Sequence, residues 1–121
     1  MSNILIIIQA RMESARYPGK VLASLCGQPM LLWLLARLAR LSYPVVVAAP
    51  DTPENAALQE VCIRHGTVCH LIPGDPQDVL GRFVKVIALY PEAEHIVRLC
   101  GDTPLLCPTV VQAIIAHHLS N

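Results

Sequence analysis

Four short β-rich runs, Ile4–Ile8, Val45–Ala49, Val68–Ile72 and His95–Leu99, alternate with segments whose apolar residues recur at helical spacing. Runs this short, apolar at successive positions, suit strands buried on both faces. Between them, Ala57, Leu58, Val61 and Cys62 share one helical face, and Val79, Leu80, Phe83, Val84 and Ile87 another. Val110, Val111, Ile114 and Ile115 form a third, and the segment from Met30 to Leu41 is apolar nearly all round, as a helix pressed between layers would be. Strand–helix alternation with short connections forces parallel strands and right-handed crossovers. The expected fold class is therefore α/β, a three-layer αβα parallel sheet. Pro29, Asp51-Thr52-Pro53-Glu54, Asp75-Pro76-Gln77-Asp78 and Pro108 mark helix starts, and Gly66 marks the end of the second helix.

A chain of 121 residues is expected to form a single domain over residues 1–121, burying roughly two-thirds of its unfolded surface. Nine basic and nine acidic residues cancel, so no general attraction to nucleic acid or membrane is expected. Arg37 and Arg40 cut the apolar run Leu31–Leu35 far short of the ~20 residues of a membrane span. The first apolar run has no basic leader, and the five cysteines are odd in number without framework spacing. Both features point to a cytoplasmic chain with reduced thiols. Cys62, His65, Cys69 and His70 match no common zinc-finger spacing.

The apolar fraction is 54% and the charged fraction only 15%, a balance that suits a unit whose remaining surface is covered by something else. The last helical segment is followed by no fifth strand, so the final strand is expected to be an open edge.

In a parallel sheet all carboxyl ends open on one edge, where loops distant in sequence converge. The loop Gln9–Lys20 carries Arg11, Arg16 and Lys20, with Ser14 and a Pro18-Gly19 turn. Guanidinium forks and a mobile ammonium suit phosphate oxygens, although a basic solvated loop would look the same. It lacks the upstream glycine and trailing Ser/Thr of a P-loop, and no G-x-G-x-x-G follows the first strand. The second loop is Pro50-Asp51-Thr52. In the third, Asp78 and Arg82 lie one helical turn apart, either as a surface pair worth a few tenths of a kcal/mol or as groups facing a substrate. In the fourth, Asp102 sits between Gly101 and Pro104. It either caps the turn or pairs with Arg11 or Lys20, or it holds a divalent cation shared with phosphates.

The motifs Ile6-Ile7-Ile8-Gln9-Ala10-Arg11-Met12-x-Ser14-x-Arg16-x-Pro18-Gly19-Lys20, Gly27-x-Pro29-Met30-Leu31, Asp78-Val79-Leu80-x-Arg82-Phe83 and Arg98-Leu99-x-Gly101-Asp102-x-Pro104-Leu105 stand in this order. Together they resemble the cytidylyltransferase family, which makes CMP-activated sugar acids and includes spore-coat polysaccharide biosynthesis proteins, over about residues 4–111. The resemblance implies a Rossmann-like fold of the nucleotide-diphosphosugar transferase type, truncated to its N-terminal half. It implies the reaction CTP + sugar acid → CMP-sugar + pyrophosphate, with Mg2+ as cofactor. Arg11, Lys20 and Asp102 would be catalytic, and Asp102 would ligand the metal. Ala10, Arg11, Met12, Ser14, Arg16, Gly19 and Lys20 would bind the nucleotide, and Asp78 and Arg82 would lie on the substrate side. Cys100 departs from the polar residue common there. Members of the family are roughly twice as long, so this chain alone is expected to be catalytically incomplete, with a homo-oligomer or a complementing chain as the expected partner. Two other functions stay open: a GT-A-like glycosyltransferase using a nucleotide sugar, and a non-catalytic fragment that binds a partner chain.

Overall fold

The computed structural model describes residues 3–12, 19, 22–101 and 108–120. In chain order its elements are β1 (Ile4–Gln9), β2 (Ser24–Leu25), β3 (Gln28–Pro29), α1 (Met30–Leu38), β4 (Val45–Pro50), a 3-10 turn (Pro53–Asn55), α2 (Ala56–His65), β5 (Val68–Ile72), α3 (Val79–Ala88), β6 (His95–Cys100) and α4 (Pro108–Ser120). The four expected strands form one sheet in the order β5-β4-β1-β6. Every pairing is parallel, with Gln9 opposite both Ala48 and Cys100, and Pro50 opposite Ile72.

Successive residues of β1 point to opposite faces, and each face finds a helix. Ile6 and Ile8 join a core with Leu31, Leu34, Leu35 and Leu38 of α1 and Leu58 and Cys62 of α2. Leu5 and Ile7 pack with Phe83 and Val86 of α3 on the other side. Ile4 packs with Val111 and Ile115 of α4. Each such side chain contributes roughly 1.5–3 kcal/mol of burial, which is why β1 carries no polar residue before Gln9. The result is the expected three-layer α/β fold. Among the described residues, no helix is long and apolar enough to cross a membrane.

Local signals also hold. Gly66 ends α2 at φ 85°, with Thr67 N–H donating to the Cys62 carbonyl at 2.9 Å, a left-handed cap that favours glycine. Asp78 caps α3 by accepting from Gly81 N–H at 2.9 Å. Cys62 and Cys69 are buried between α2 and β5 as free thiols. Their mutual hydrogen bond, and then burial, push the Cys69 thiol up.

Three expectations are corrected. Leu80 and Val84 are 66% and 57% exposed, not part of the α3 core face. One helix covers this stretch of sheet, and Asp78 caps it so that Val79, Phe83, Val86 and Ile87 point inward. On α4, Val110 and Ile114 are likewise exposed while Val111 and Ile115 are buried. Helix α1 buries one face, at Leu31, Leu34, Leu35 and Leu38, and leaves Ala36 exposed rather than being enclosed all round. Two elements were not expected. The β2–β3 hairpin turns at Cys26 and Gly27, both at positive φ, and the 3-10 turn delays the start of α2 to Ala56.

Candidate functional site

The chain steps from β1 to β4 to β5 and then returns across to β6 on the other flank of β1. The crevice between the carboxyl ends of β1 and β6 is thus the point where the winding reverses, the usual ligand position in open α/β sheets. The ladder continues one residue past each strand. Ala10 N–H reaches the Ala48 carbonyl at 3.1 Å, Asp51 N–H that of Ile72 at 3.0 Å, and Gly101 N–H that of Gln9 at 2.8 Å. A Cβ on Gly101 would lie 3.0 Å from the Ala10 Cβ and 3.2 Å from the Gln9 carbonyl oxygen. Glycine here lets the fourth loop start flat against the first. Ala10, Arg11, Met12, Gly19, Asp78 and Arg82 belong to the described structure, whereas Ser14, Arg16, Lys20 and Asp102 lie outside the described residues.

The first loop is anchored at both ends. Met12 N–H donates to Asn55 Oδ1 at 2.8 Å, and the Met12 carbonyl accepts from Gly19 N–H at 2.7 Å. The Gly19 carbonyl in turn accepts from Leu22 N–H at 3.0 Å, and Met30 N–H closes onto Ala23 at 3.0 Å. That chain of bonds carries the loop exit through the hairpin into α1, where Trp33 Nε1 donates to the Leu25 carbonyl at 2.6 Å. Asn55 was missed from the sequence. Its only signal is a polar residue three positions past the second loop, in the 3-10 turn.

The third loop is held by its own helix. Asp78 turns its carboxylate onto the α3 N-terminus. Arg82, buried to 4% exposure, donates from Nη1 to the Pro76 carbonyl at 3.3 Å. Lys85 Nζ donates to the Pro73 carbonyl at 2.8 Å. These groups enclose about 10 Å³, room for about one water. Because β4 separates β5 from β1, this loop begins roughly 10 Å from the first, at two strand spacings. Arg98 of β6 packs on α3, its Cζ lying 4.4 Å over the Phe83 ring, a cation–π contact.

The sequence profile of the cytidylyltransferase family matches residues 5–121. The spore coat polysaccharide biosynthesis protein SpsF of Bacillus subtilis is 38% identical over 125 residues, covering 98% of this chain and 50% of that protein. A 3-deoxy-manno-octulosonate cytidylyltransferase from Bradyrhizobium is 35% identical, covering 94% of this chain and 46% of that protein. A solved cytidylyltransferase from Leptospira borgpetersenii superposes with a TM-score of 0.91 at 28% identity, over 100% of this chain and 50% of that one. CMP:2-keto-3-deoxy-manno-octonic acid synthetase complexed with CTP gives a TM-score of 0.84 at 28% identity, over 99% of this chain and 48% of that one. The chain thus spans about half the length of the relatives it matches. With the family profile matched over residues 5–121, nearly the whole length, the chain belongs to the cytidylyltransferase family.

Proposed function

We propose that the chain binds CTP at the carboxyl edge of its sheet, as the nucleotide-binding half of an enzyme that transfers CMP to a sugar acid for surface or spore-coat polysaccharide. The observation that carries this reading is the contact of Gly101 with Ala10, which sets the loop leading to Asp102 against the loop bearing Arg11. Arg11 and Lys20 bind the triphosphate, with Ser14 and Arg16 beside them, and the Gly19 turn returns the chain toward Lys20. The backbone of Ala10–Met12 faces the base. Asp78, as the cap of α3, and Arg82, through the Pro76 carbonyl, hold the third loop in place on the acceptor side.

Among the described residues no group of three or more His, Cys, Asp or Glu could hold a metal. In this reading magnesium would be held through Asp102 together with triphosphate oxygens, the usual mix of one or two carboxylates and substrate phosphates. When bound, that ion would neutralise charge on the phosphates. A sugar hydroxyl oxygen attacks the α-phosphorus and its proton passes to solvent, the bond to the bridging oxygen of the β-phosphate breaks, and pyrophosphate leaves with that electron pair. Fixed cations aimed at the charge that develops do most of the work, and no protein nucleophile is needed.

Calorimetry is expected to show CTP binding that falls when magnesium is chelated. Absence of binding by any nucleoside triphosphate with magnesium present would remove the proposal. Arg11→Ala should weaken triphosphate binding far more than cytidine binding, and equal losses would contradict its role. Among the described residues no strand pairs with the outer flank of β6, which favours a further element in this reading: a companion segment, in the same or another polypeptide, completes the acceptor pocket.

A further inference from the structure

We infer that Asn55 is a positioning residue for nucleotide binding, a carboxamide wedge that sets the direction in which the first loop leaves the sheet. The inference rests on the triphosphate reading above. Asn55 is fully buried, and a buried amide is tolerated when its polar atoms are paired. Its Oδ1 accepts from Met12 N–H at 2.8 Å. Its Nδ2 donates to the Pro50 carbonyl at 3.0 Å and to Thr52 Oγ1 at 2.9 Å. The partners fix the amide orientation, since Met12 N–H can only donate and the Pro50 carbonyl can only accept.

The location explains the purpose. In the parallel ladder, Ala10 N–H takes the Ala48 carbonyl, so the next rung would join Met12 N–H to the Pro50 carbonyl. Instead the Asn55 amide stands between them, accepting from one and donating to the other. The β1 chain is thereby splayed from β4 by the width of one amide while every bond of that rung is kept. Met12 is pinned through its N–H by Asn55 and through its carbonyl by Gly19. Arg11 lies between this fixed residue and Ala10, still held in the ladder. Its side chain leaves from a backbone clamped on both sides, so that backbone requires no ordering when a triphosphate arrives. Asn55 acts through Met12 and Arg11, and need not touch the nucleotide.

The test is a double-mutant cycle on magnesium-dependent CTP affinity in the full chain, with Asn55→Ala, Arg11→Ala and the pair. Asn55→Ala is expected to weaken CTP by about tenfold when Arg11 is present and by less than about threefold when it is absent. The same loss in both backgrounds, or no loss in either, would overturn the inference. Asn55→Asp keeps an acceptor for Met12 but forfeits the donated bonds. It should lose stability, as alanine does, yet hold CTP within a few-fold of the unaltered chain. Affinity falling in step with stability in both variants would reduce Asn55 to a packing residue. In the unaltered chain, the Met12 and Gly19 amides should resist solvent exchange alongside those of β1, and fast exchange there overturns the wedge whether or not a variant folds. Failure of the unaltered chain to bind any triphosphate removes the functional reading itself, whereas binding with an additive cycle removes only the role of Asn55.

Discussion

Gly101 and Asn55 brace the first loop from opposite sides, one from β6 and one from β4, and they act by different physics. Gly101 works by absence. Alanine there would press a methyl group against the Ala10 Cβ at 3.0 Å and the Gln9 carbonyl at 3.2 Å, both parts of a central strand that cannot shift freely. We expect Gly101→Ala to cost about 1–3 kcal/mol of unfolding free energy, the usual range for overpacking, read from urea denaturation. CTP affinity should fall with it, because the fourth loop is pushed from the first. Unchanged stability would mean that the contact is slack. The places of Arg11 and Gly101 just past strand ends were legible in the sequence, because the apolar runs end there. Asn55 was not, since its partners Met12 and Pro50 meet it only after β1 and β4 pair. Lys20 and Asp102, equally legible, lie outside the described residues.

The strands were readable almost to the residue because burial on both faces imposes a continuous apolar run, whereas the helices were readable in position but not in rotation. Periodicity places Leu80 and Val84 beside Phe83, yet it cannot say how much of a wide apolar arc the sheet has room to accept. The hairpin at Cys26-Gly27 escaped because two-residue arms carry no period at all. Rotation of α3 is set at its ends. At the first, Asp78→Ala should cost about 1 kcal/mol through the lost cap, measured by denaturation. Just past the last helical turn, Tyr90 meets His70 of β5, its hydroxyl 2.7 Å from Nε2. Burial, and secondarily the charge of Glu92, raise the Tyr90 pKa from its ordinary 10.0. A raised folded-state value means that the folded chain holds this proton more tightly. The stability it gives is complete below pH 10 and is lost as pH climbs through the raised value. The difference in unfolding free energy between the unaltered chain and Tyr90→Phe should therefore shrink as pH rises above about 10. A difference that is flat or grows with alkalinity would contradict the assignment.

Taken together, the sheet has two flanks of unequal character. Among the described residues strand β6 is an edge, and beside it α4 turns Val110 and Ile114 outward at 54% and 63% exposure. Between them runs a groove of about 290 Å³ whose walls include Ile4, Val97 and Ile115. Edge strands are normally blunted by charge or covered, and here Arg98 is the one charged side chain on β6 other than histidine. An apolar excess of this kind was inferred from composition, with 54% apolar against 15% charged residues. The structure now says where part of it lies. Contiguous apolar surface of this sort drives association, so the purified chain should sediment above its monomer mass at tens of micromolar, an order of magnitude typical of weak contacts. Replacing Val110 and Ile114 with lysine should return it to a monomer. Because both side chains already face solvent, the unfolding free energy read from urea denaturation, at a dilution where both proteins are monomeric, should stay within about 0.5 kcal/mol. Loss of association with unchanged stability assigns the contact to this flank. Association that survives the double substitution would move it elsewhere, and a monomer from the outset would show that the β6 flank is content in water.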